Sequence, residues 1–272
     1  MACPKEAIVE RGKRPVFRWL ERGSGEAVLL LHGLIGQMDH WDCVLDGLAD
    51  RCRSLALSLP FLDEELQETS IDGIARYVVD FLDALDIGRA VVGGNSLGGH
   101  VALELTLRYP ERVSGLILTG SSGLMERSFT RAFPRRPSTE YVRRELEAVF
   151  YDASLVTPEW VEAVRTIVTT PSSARRVLRL ARAAKRHNVR DWLGGVAVPT
   201  LLIWGREDRV TPPEIAQRFL TLLPDAQLWF LSHCGHAPML EQPESFSDIV
   251  TAWLGETRSR RPTATSPVRD RR

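Results

Sequence analysis

The feature that most constrains this chain is an alternation of short, predominantly apolar runs with stretches of helical periodicity. Ala27-Val28-Leu29-Leu30-Leu31 precedes a helical pattern over 38–49, the run 53–57 precedes one over 70–86, and the run 89–93 precedes one over 97–109. Further runs follow at 113–119, 200–204 and 227–231, the last two trailed by helical patterns over 212–223 and 239–254. A strand with one wet face alternates apolar and polar residues. A strand apolar throughout is buried on both faces, the condition of a parallel strand with helices above and below it. The expected architecture is therefore α/β, a mostly parallel sheet with helices on both faces. The stretch 6–20 adds an antiparallel hairpin at one edge and brings the expected sheet to eight strands.

Between 124 and 197 the alternation stops. Ser138 and Thr157-Pro158 read as helix starts, and Ala174, Val177, Leu178 and Ala181 form an apolar helical stripe. This insert follows the sixth strand, where loops at the carboxyl ends of an open α/β sheet surround the ligand crevice, so it is expected to form a small helical lid. The domain organisation is then a core of 1–123 and 198–257, a lid at 124–197, and a tail at 258–272 that is rich in Arg, Pro, Ser and Thr and expected to be disordered. Lys and Arg balance Asp and Glu over the 272 residues, yet the insert alone carries 14 basic against 8 acidic residues. That charge either solvates helix faces or sets a positive field over an anionic ligand. No apolar run approaches the roughly 20 residues needed to cross a bilayer, and the first residues lack the apolar core of a signal peptide. A cytoplasmic location with no membrane partner is the expectation. Cys3, Cys43, Cys52 and Cys234 have neither metal nor redox spacing and read as reduced structural thiols.

One stretch carries chemistry. In Val91-Val92-Gly93-Gly94-Asn95-Ser96-Leu97-Gly98-Gly99-His100 a serine sits among four glycines between an apolar run and a helical pattern. A flexible turn would be flanked by polar sequence. A sharp strand-to-helix corner needs small neighbours around a strained central residue, and it exposes that residue over a helix N-terminus. Ser96 is therefore a candidate nucleophile. A serine hydroxyl needs an imidazole to take its proton and a carboxylate to hold that imidazole. His236, on a loop just past the last core strand, is the candidate base in preference to His233, which lies closer to the strand; His40, His100 and His187 fall on helices and read as packing or surface. Asp208, at the end of "LLIWGREDRVTPP", is the candidate carboxylate, with Glu207 facing solvent or paired locally. The backbone N–H groups of Leu34, after the turn at Gly33, and of Leu97, after the serine, are candidates to bind an oxyanion. His32 reads as a loop anchor.

With "HGLIG", "GNSLGG", "WGREDRVTP" and "CGHAPMLEQP" in the order Ser, Asp, His, the chain resembles the α/β-hydrolase superfamily from about residue 15 to 255. The resemblance implies a serine nucleophile. Within the superfamily the details are similar to esterases and to the carbon–carbon bond hydrolases of meta-cleavage products. Asn95 matches the asparagine of the latter and is a candidate substrate-binding residue. Other marks of that group are replaced: Leu34-Ile35-Gly36 stands for a glycine-rich run, Ala237 for a tryptophan after the histidine, and Glu159 before Trp160 for a lid arginine. The expected function is thus hydrolysis of a small-molecule ester through an acyl-enzyme, with carbon–carbon bond hydrolysis and slow-turnover ligand sensing as alternatives. Arg182, at the edge of the stripe, is a candidate to hold a substrate carboxylate, while Arg175 and Arg176 are expected to face water. No metal or other cofactor is expected, because phosphate-loop, H-E-x-x-H and paired C-x-x-C patterns are missing. The expected partner is a small-molecule substrate rather than nucleic acid, and the chain is expected to be a monomer or homodimer.

Overall fold

The computed structural model describes residues 5–7, 17–62, 70–124, 137–259 and 269–271. In chain order the elements are β1 (Lys5–Ala7), β2 (Phe17–Arg22), β3 (Ala27–Leu31), α1 (Asp42–Leu48), β4 (Arg53–Leu57), α2 (Ile71–Ala84), β5 (Ala90–Asn95), α3 (Leu97–Arg108) and β6 (Val113–Thr119). The helices α4 (Thr139–Glu147), α5 (Pro158–Thr169) and α6 (Pro171–Arg186) follow, then β7 (Thr200–Gly205), α7 (Pro213–Leu222), β8 (Ala226–Leu231), α8 (Pro238–Glu241), α9 (Pro243–Ser259) and β9 (Arg269–Arg271).

The strands form one sheet in the order β1-β2-β4-β3-β5-β6-β7-β8-β9. The hairpin expected near 6–20 is present: β1 and β2 pair antiparallel, with Glu6 opposite Arg18, and β2 pairs antiparallel with β4. From β4 to β9 every pairing is parallel. The sheet has nine strands among the described residues rather than eight, because Arg269–Arg271 lie alongside Trp229–Leu231 and cover the open edge of β8. These residues fall in the stretch 258–272 expected to be disordered. Arg258 and Ser259 of that stretch complete α9, and 260–268 and 272 lie outside the described residues.

Predominantly apolar strands feed two cores. Leu29 and Leu31 of β3, Leu55 and Leu57 of β4, and Leu202 and Trp204 of β7 point to the face covered by α2, α3 and α7. Val28 and Leu30, Ala56, and Leu201 and Ile203 point to the face covered by α1 and α9. The period of two in a pleated strand is what divides one apolar run between two layers. The helical pattern expected over 239–254 is split in two. Pro243 has no N–H to continue α8 and forces Gln242 out of the helical region, to φ −141° and ψ 61°. No helix among the described residues is long and apolar enough to cross a membrane.

Helix starts inside the insert fall where the sequence puts them. Ser138 Oγ accepts the N–H of Tyr141 and Thr157 Oγ1 accepts that of Trp160. The helices of the insert divide between the two cores: Val142 of α4 and Val161 and Val164 of α5 join the α1/α9 core, whereas Leu180 and Ala184 of α6 join the α2/α3 core. The inward face of α6 differs from expectation. Leu178 is exposed and Leu180 and Ala184 are buried. The apolar arc of this helix extends from Ala174 to Ala184, and contact with α2 selects its far edge.

The chain runs from β3 outward to β4 and then crosses to the opposite side of β3 with β5, so the sheet reverses direction between β3 and β5. A crevice opens at such a point beyond the strand ends. Its floor is crowded backbone: a Cβ on Gly94 would lie 2.3 Å from the carbonyl carbon of Gly98, and one on Gly98 would lie 2.3 Å from Leu31 O. Gly194 has open space around it. Gly94→Ala is therefore expected to lower Tm by about 5 °C or more, and Gly194→Ala to leave it unchanged or slightly higher. Thermal unfolding of the two variants beside the wild type checks this; a Gly94→Ala protein as stable as wild type would mean that the elbow has slack.

Candidate active site

Ser96 is the N-cap of α3 and adopts φ 55° and ψ −118°, a strained conformation for a residue with a Cβ. Its backbone is held on both sides: Ser96 N–H donates to Thr119 O at 3.1 Å, and Ser96 O accepts from His100 N–H at 3.2 Å and Ser122 N–H at 3.1 Å. From Ala90 to Thr106 every residue is buried except Ser96. The elbow thus lifts one hydroxyl out of an otherwise closed layer.

Two peptide N–H groups flank it. Gly33, where an added Cβ would lie 3.2 Å from Ser96 Cβ, starts a turn closed by a Gly36 N–H to Gly33 O bond of 3.0 Å. That turn carries Leu34. Leu97 N–H is the first of α3 and has no intrahelical acceptor. Among the described residues neither the Leu34 nor the Leu97 N–H has a protein acceptor. His32 fixes the turn from behind: its ring contacts Gly33 O at 2.8 Å and accepts Leu59 N–H at 2.9 Å. With Nε2 accepting, Nδ1 carries the proton and the ring is neutral. Burial depresses its pKa from 6.5 to about 4.

Asp208 and His236 meet across two loops. His236 Nδ1 lies 2.9 Å from Asp208 Oδ2, and both side chains are buried. The carboxylate is saturated: Oδ1 accepts the N–H groups of Val210 and Thr211, and Oδ2 also accepts the Thr211 hydroxyl at 2.8 Å. His236 packs over Gly120, where a Cβ would lie 2.7 Å from its Nδ1. Ser96 and His236 are joined through Asn95, whose amide donates to Thr119 O at 3.1 Å and to His236 O at 2.9 Å. Among the described residues no hydrogen bond joins Ser96 Oγ to His236. Catalytic hydroxyls without substrate commonly lack one.

A model of the alpha/beta hydrolase fold matches residues 26–243. The chain is an alpha/beta hydrolase. It is 31% identical over 269 residues to a 2-hydroxy-6-oxononadienedioate/2-hydroxy-6-oxononatrienedioate hydrolase of Burkholderia vietnamiensis, covering 91% of this chain and 93% of that protein. Among solved structures it is similar to an alpha/beta hydrolase from the metagenome of sediments of the Mar Chica lagoon, Morocco, at TM-score 0.75 and 34% identity over 94% of this chain and all of that one. It is also similar to the meta-cleavage product hydrolase of Pseudomonas fluorescens IP01, at TM-score 0.76 and 26% identity over 89% and 94% of the two chains.

Asn95 and Arg182, the two candidate substrate contacts, have distinct settings in this alpha/beta hydrolase. Both amide hydrogens of Asn95 bond backbone carbonyls and tie the elbow to the histidine loop, while its Oδ1 lies 3.4 Å from where a Cβ on Gly33 would stand. Arg182 is exposed and lies half a helical turn from the buried Leu180, facing away from the core. Arg176, expected to face water, is half-buried and donates to the carbonyls of Phe61 and Pro60. Glu207, expected to face solvent or pair locally, is half-buried and reaches the histidine loop, where it accepts Cys234 N–H at 3.0 Å. His233 is exposed, at φ 56°, with its ring against Tyr151.

His100 and His187 have a packing role. His100 Nε2 lies 3.0 Å from His187 Nδ1, and His187 Nε2 lies 3.3 Å from the buried Glu104, which also pairs with Arg108. This chain ties the end of α6 to α3, and burial pushes the His100 pKa down to about 3. Thr211 and Glu241 are the residues that sequence reasoning missed. Thr211 braces Asp208, and the only signal for it is its position three residues after the acid. Glu241 accepts the N–H groups of Gly235 at 2.8 Å and Tyr151 at 2.7 Å, and burial pushes its carboxyl up from the ordinary value. Among the described residues no group of three His, Cys, Asp or Glu side chains could hold a metal ion.

The neutral state of His32 has a consequence for stability. Its folded pKa, about 4, lies below the unfolded value of 6.5, so its contribution is intact above pH 6.5 and is lost as pH falls toward 4. For this one ring the loss at pH 5 is about 2 kcal/mol. Urea unfolding at pH 7.5 and pH 5 is expected to give a pH-dependent difference smaller by about that amount in His32→Asn than in wild type. Equal differences would show that the ring is not held neutral.

Proposed function

We propose that this alpha/beta hydrolase cleaves a small-molecule carboxylic ester, with Ser96 as nucleophile, His236 as general base and then acid, and Asp208 as the carboxylate that orients His236. The observation that carries the reading is the 2.9 Å contact of His236 Nδ1 with a saturated Asp208 beside the one unburied residue of the elbow. An Nδ1–H donated to Asp208 leaves Nε2 as the free base of the imidazole. Ser96 Oγ attacks the ester carbonyl carbon as its proton passes to His236 Nε2. The carbonyl oxygen gains negative charge and is bound by the Leu34 and Leu97 N–H groups, each such donor contributing about 10²–10³ in rate. The C–O bond to the alcohol then breaks, the proton on His236 goes to the leaving oxygen, and an acyl-Ser96 remains. Water repeats the sequence: His236 takes its proton, its oxygen attacks the acyl carbon, and Ser96 leaves with the proton.

Ester cleavage is placed first because the other marks of the meta-cleavage group are replaced here, by Leu34-Ile35-Gly36, by Ala237 and by Glu159 before Trp160. A second reading, carbon–carbon bond hydrolysis of a meta-cleavage product, is supported by the Burkholderia vietnamiensis relative and by the Pseudomonas fluorescens structure. The two readings share the serine and separate on substrate. The protein is expected to turn over 4-nitrophenyl butyrate with a kcat/KM at least about tenfold above that for a 2-hydroxy-6-oxo-6-phenylhexadienoate, a ratio set by pocket contacts. The reverse ratio would favour the second reading, and no turnover of either would remove both. Ser96→Ala and His236→Ala are each expected to lower kcat by about 10³ or more, and the double variant to cost little beyond either alone.

A further inference from the structure

We propose that Glu241 is a positioning residue: its two carboxylate oxygens staple the lid segment after α4 to the loop that carries His236, so that lid edge and histidine form one body. Oε2 accepts the Tyr151 N–H at 2.7 Å and Oε1 accepts the Gly235 N–H at 2.8 Å. Between those two bonds the loops meet directly, with His236 N–H donating to Val149 O at 2.9 Å. The contact is backbone on backbone: a Cβ on Gly235 would lie 2.6 Å from Val149 O and 2.8 Å from Tyr151 N. On its other side Gly235 is pressed against the end of β7, where a Cβ on Gly205 would lie 2.0 Å from Gly235 O. The lid segment therefore shares its support with the residues that aim Asp208 and His236.

The proposal rests on the reading of His236 as the base. A carboxylate is required because two donors approach two different oxygens, and an amide of the same size offers one acceptor and turns an N–H group toward the other donor. Glu241→Gln thus keeps the shape and removes one tie, leaving a backbone N–H facing a donor. His236 N–H does not touch Glu241, so its behaviour reports coupling rather than loss of a direct bond.

The test is amide hydrogen exchange and kinetics on Glu241→Gln, with Val78→Ala in α2 as a variant destabilised far from the site. In Glu241→Gln the Tyr151 and His236 amides are expected to lose protection together, by about tenfold or more. With 4-nitrophenyl butyrate kcat is expected to fall about tenfold while KM changes by less than about threefold, a loss of alignment and not of binding. Val78→Ala is expected to lower Tm with kcat unchanged. Faster exchange at Tyr151 with His236 unaltered, or a kcat loss no larger than that of Val78→Ala, would overturn the proposal. If Glu241→Gln does not fold, wild-type exchange decides: one common opening free energy for Tyr151, Gly235 and His236 supports a single body, and separate values overturn it. Exchange needs no substrate, so failure of the esterase reading would show as lost turnover in wild type and not as uncoupled amides.

Discussion

The structure depends on how closely three pieces of backbone approach at the carboxyl ends of β3 and β5. Gly94 lies against Gly98, and Gly98 lies against Leu31, at distances that exclude a Cβ. This contact bends the chain sharply enough to hold Ser96 at φ 55°, a conformation that costs on the order of 1–3 kcal/mol and persists only where its surroundings over-determine it. They do: Thr119, His100 and Ser122 all bond the Ser96 peptide, and the parallel register of β5 with β6 sets Asn95 beside Thr119. The strain is stored in the backbone, and the hydroxyl stays free of it.

From that corner outward the site is built mostly from main-chain contacts. The turn at Gly33 is fixed by a neutral His32 between Gly33 O and Leu59 N–H, which ties the loop after β3 to the loop after β4. The Asp208 and His236 loops are fixed by Glu207 to Cys234, by Asn95 to His236 O, and by the close approach of Gly205 to Gly235. Side chains here act largely as acceptors and donors for peptide groups. This arrangement ties the loops of Asp208 and His236 to each other and to the ends of β5 and β7.

The α/β layering was legible because strands buried on both faces are apolar nearly throughout, a pattern complete in 27–31 and carried by 55–57 and 201–204. The elbow was legible because Gly94 and Gly98 answer a steric demand at fixed spacing. What sequence did not reveal depends on partners distant in the chain. Asn95 bonds a carbonyl 141 residues away, which nothing near it signals. Thr211 and Glu241 act on backbone groups, and an N–H acceptor is needed without regard to the identity of the residue that bears the N–H. The facing of α6 was read wrongly because its apolar arc, from Ala174 to Ala184, is wide enough to dock by either edge, and this turned Arg182 outward. The strand Arg269–Arg271 has too much charge to read as one, and its place comes from the unpaired edge of β8.

The central claim is that Ser96 forms a covalent acyl intermediate under the control of His236. It is tested most directly by quenching the protein in acid during turnover of a slowly deacylated 4-nitrophenyl ester and locating the acyl mass by tandem mass spectrometry. The account predicts one acyl group on the tryptic fragment 90–108, at Ser96, accumulating with a burst of nitrophenol and missing from Ser96→Ala. An acyl group on another residue, or nitrophenol released at the wild-type rate by Ser96→Ala, would contradict it.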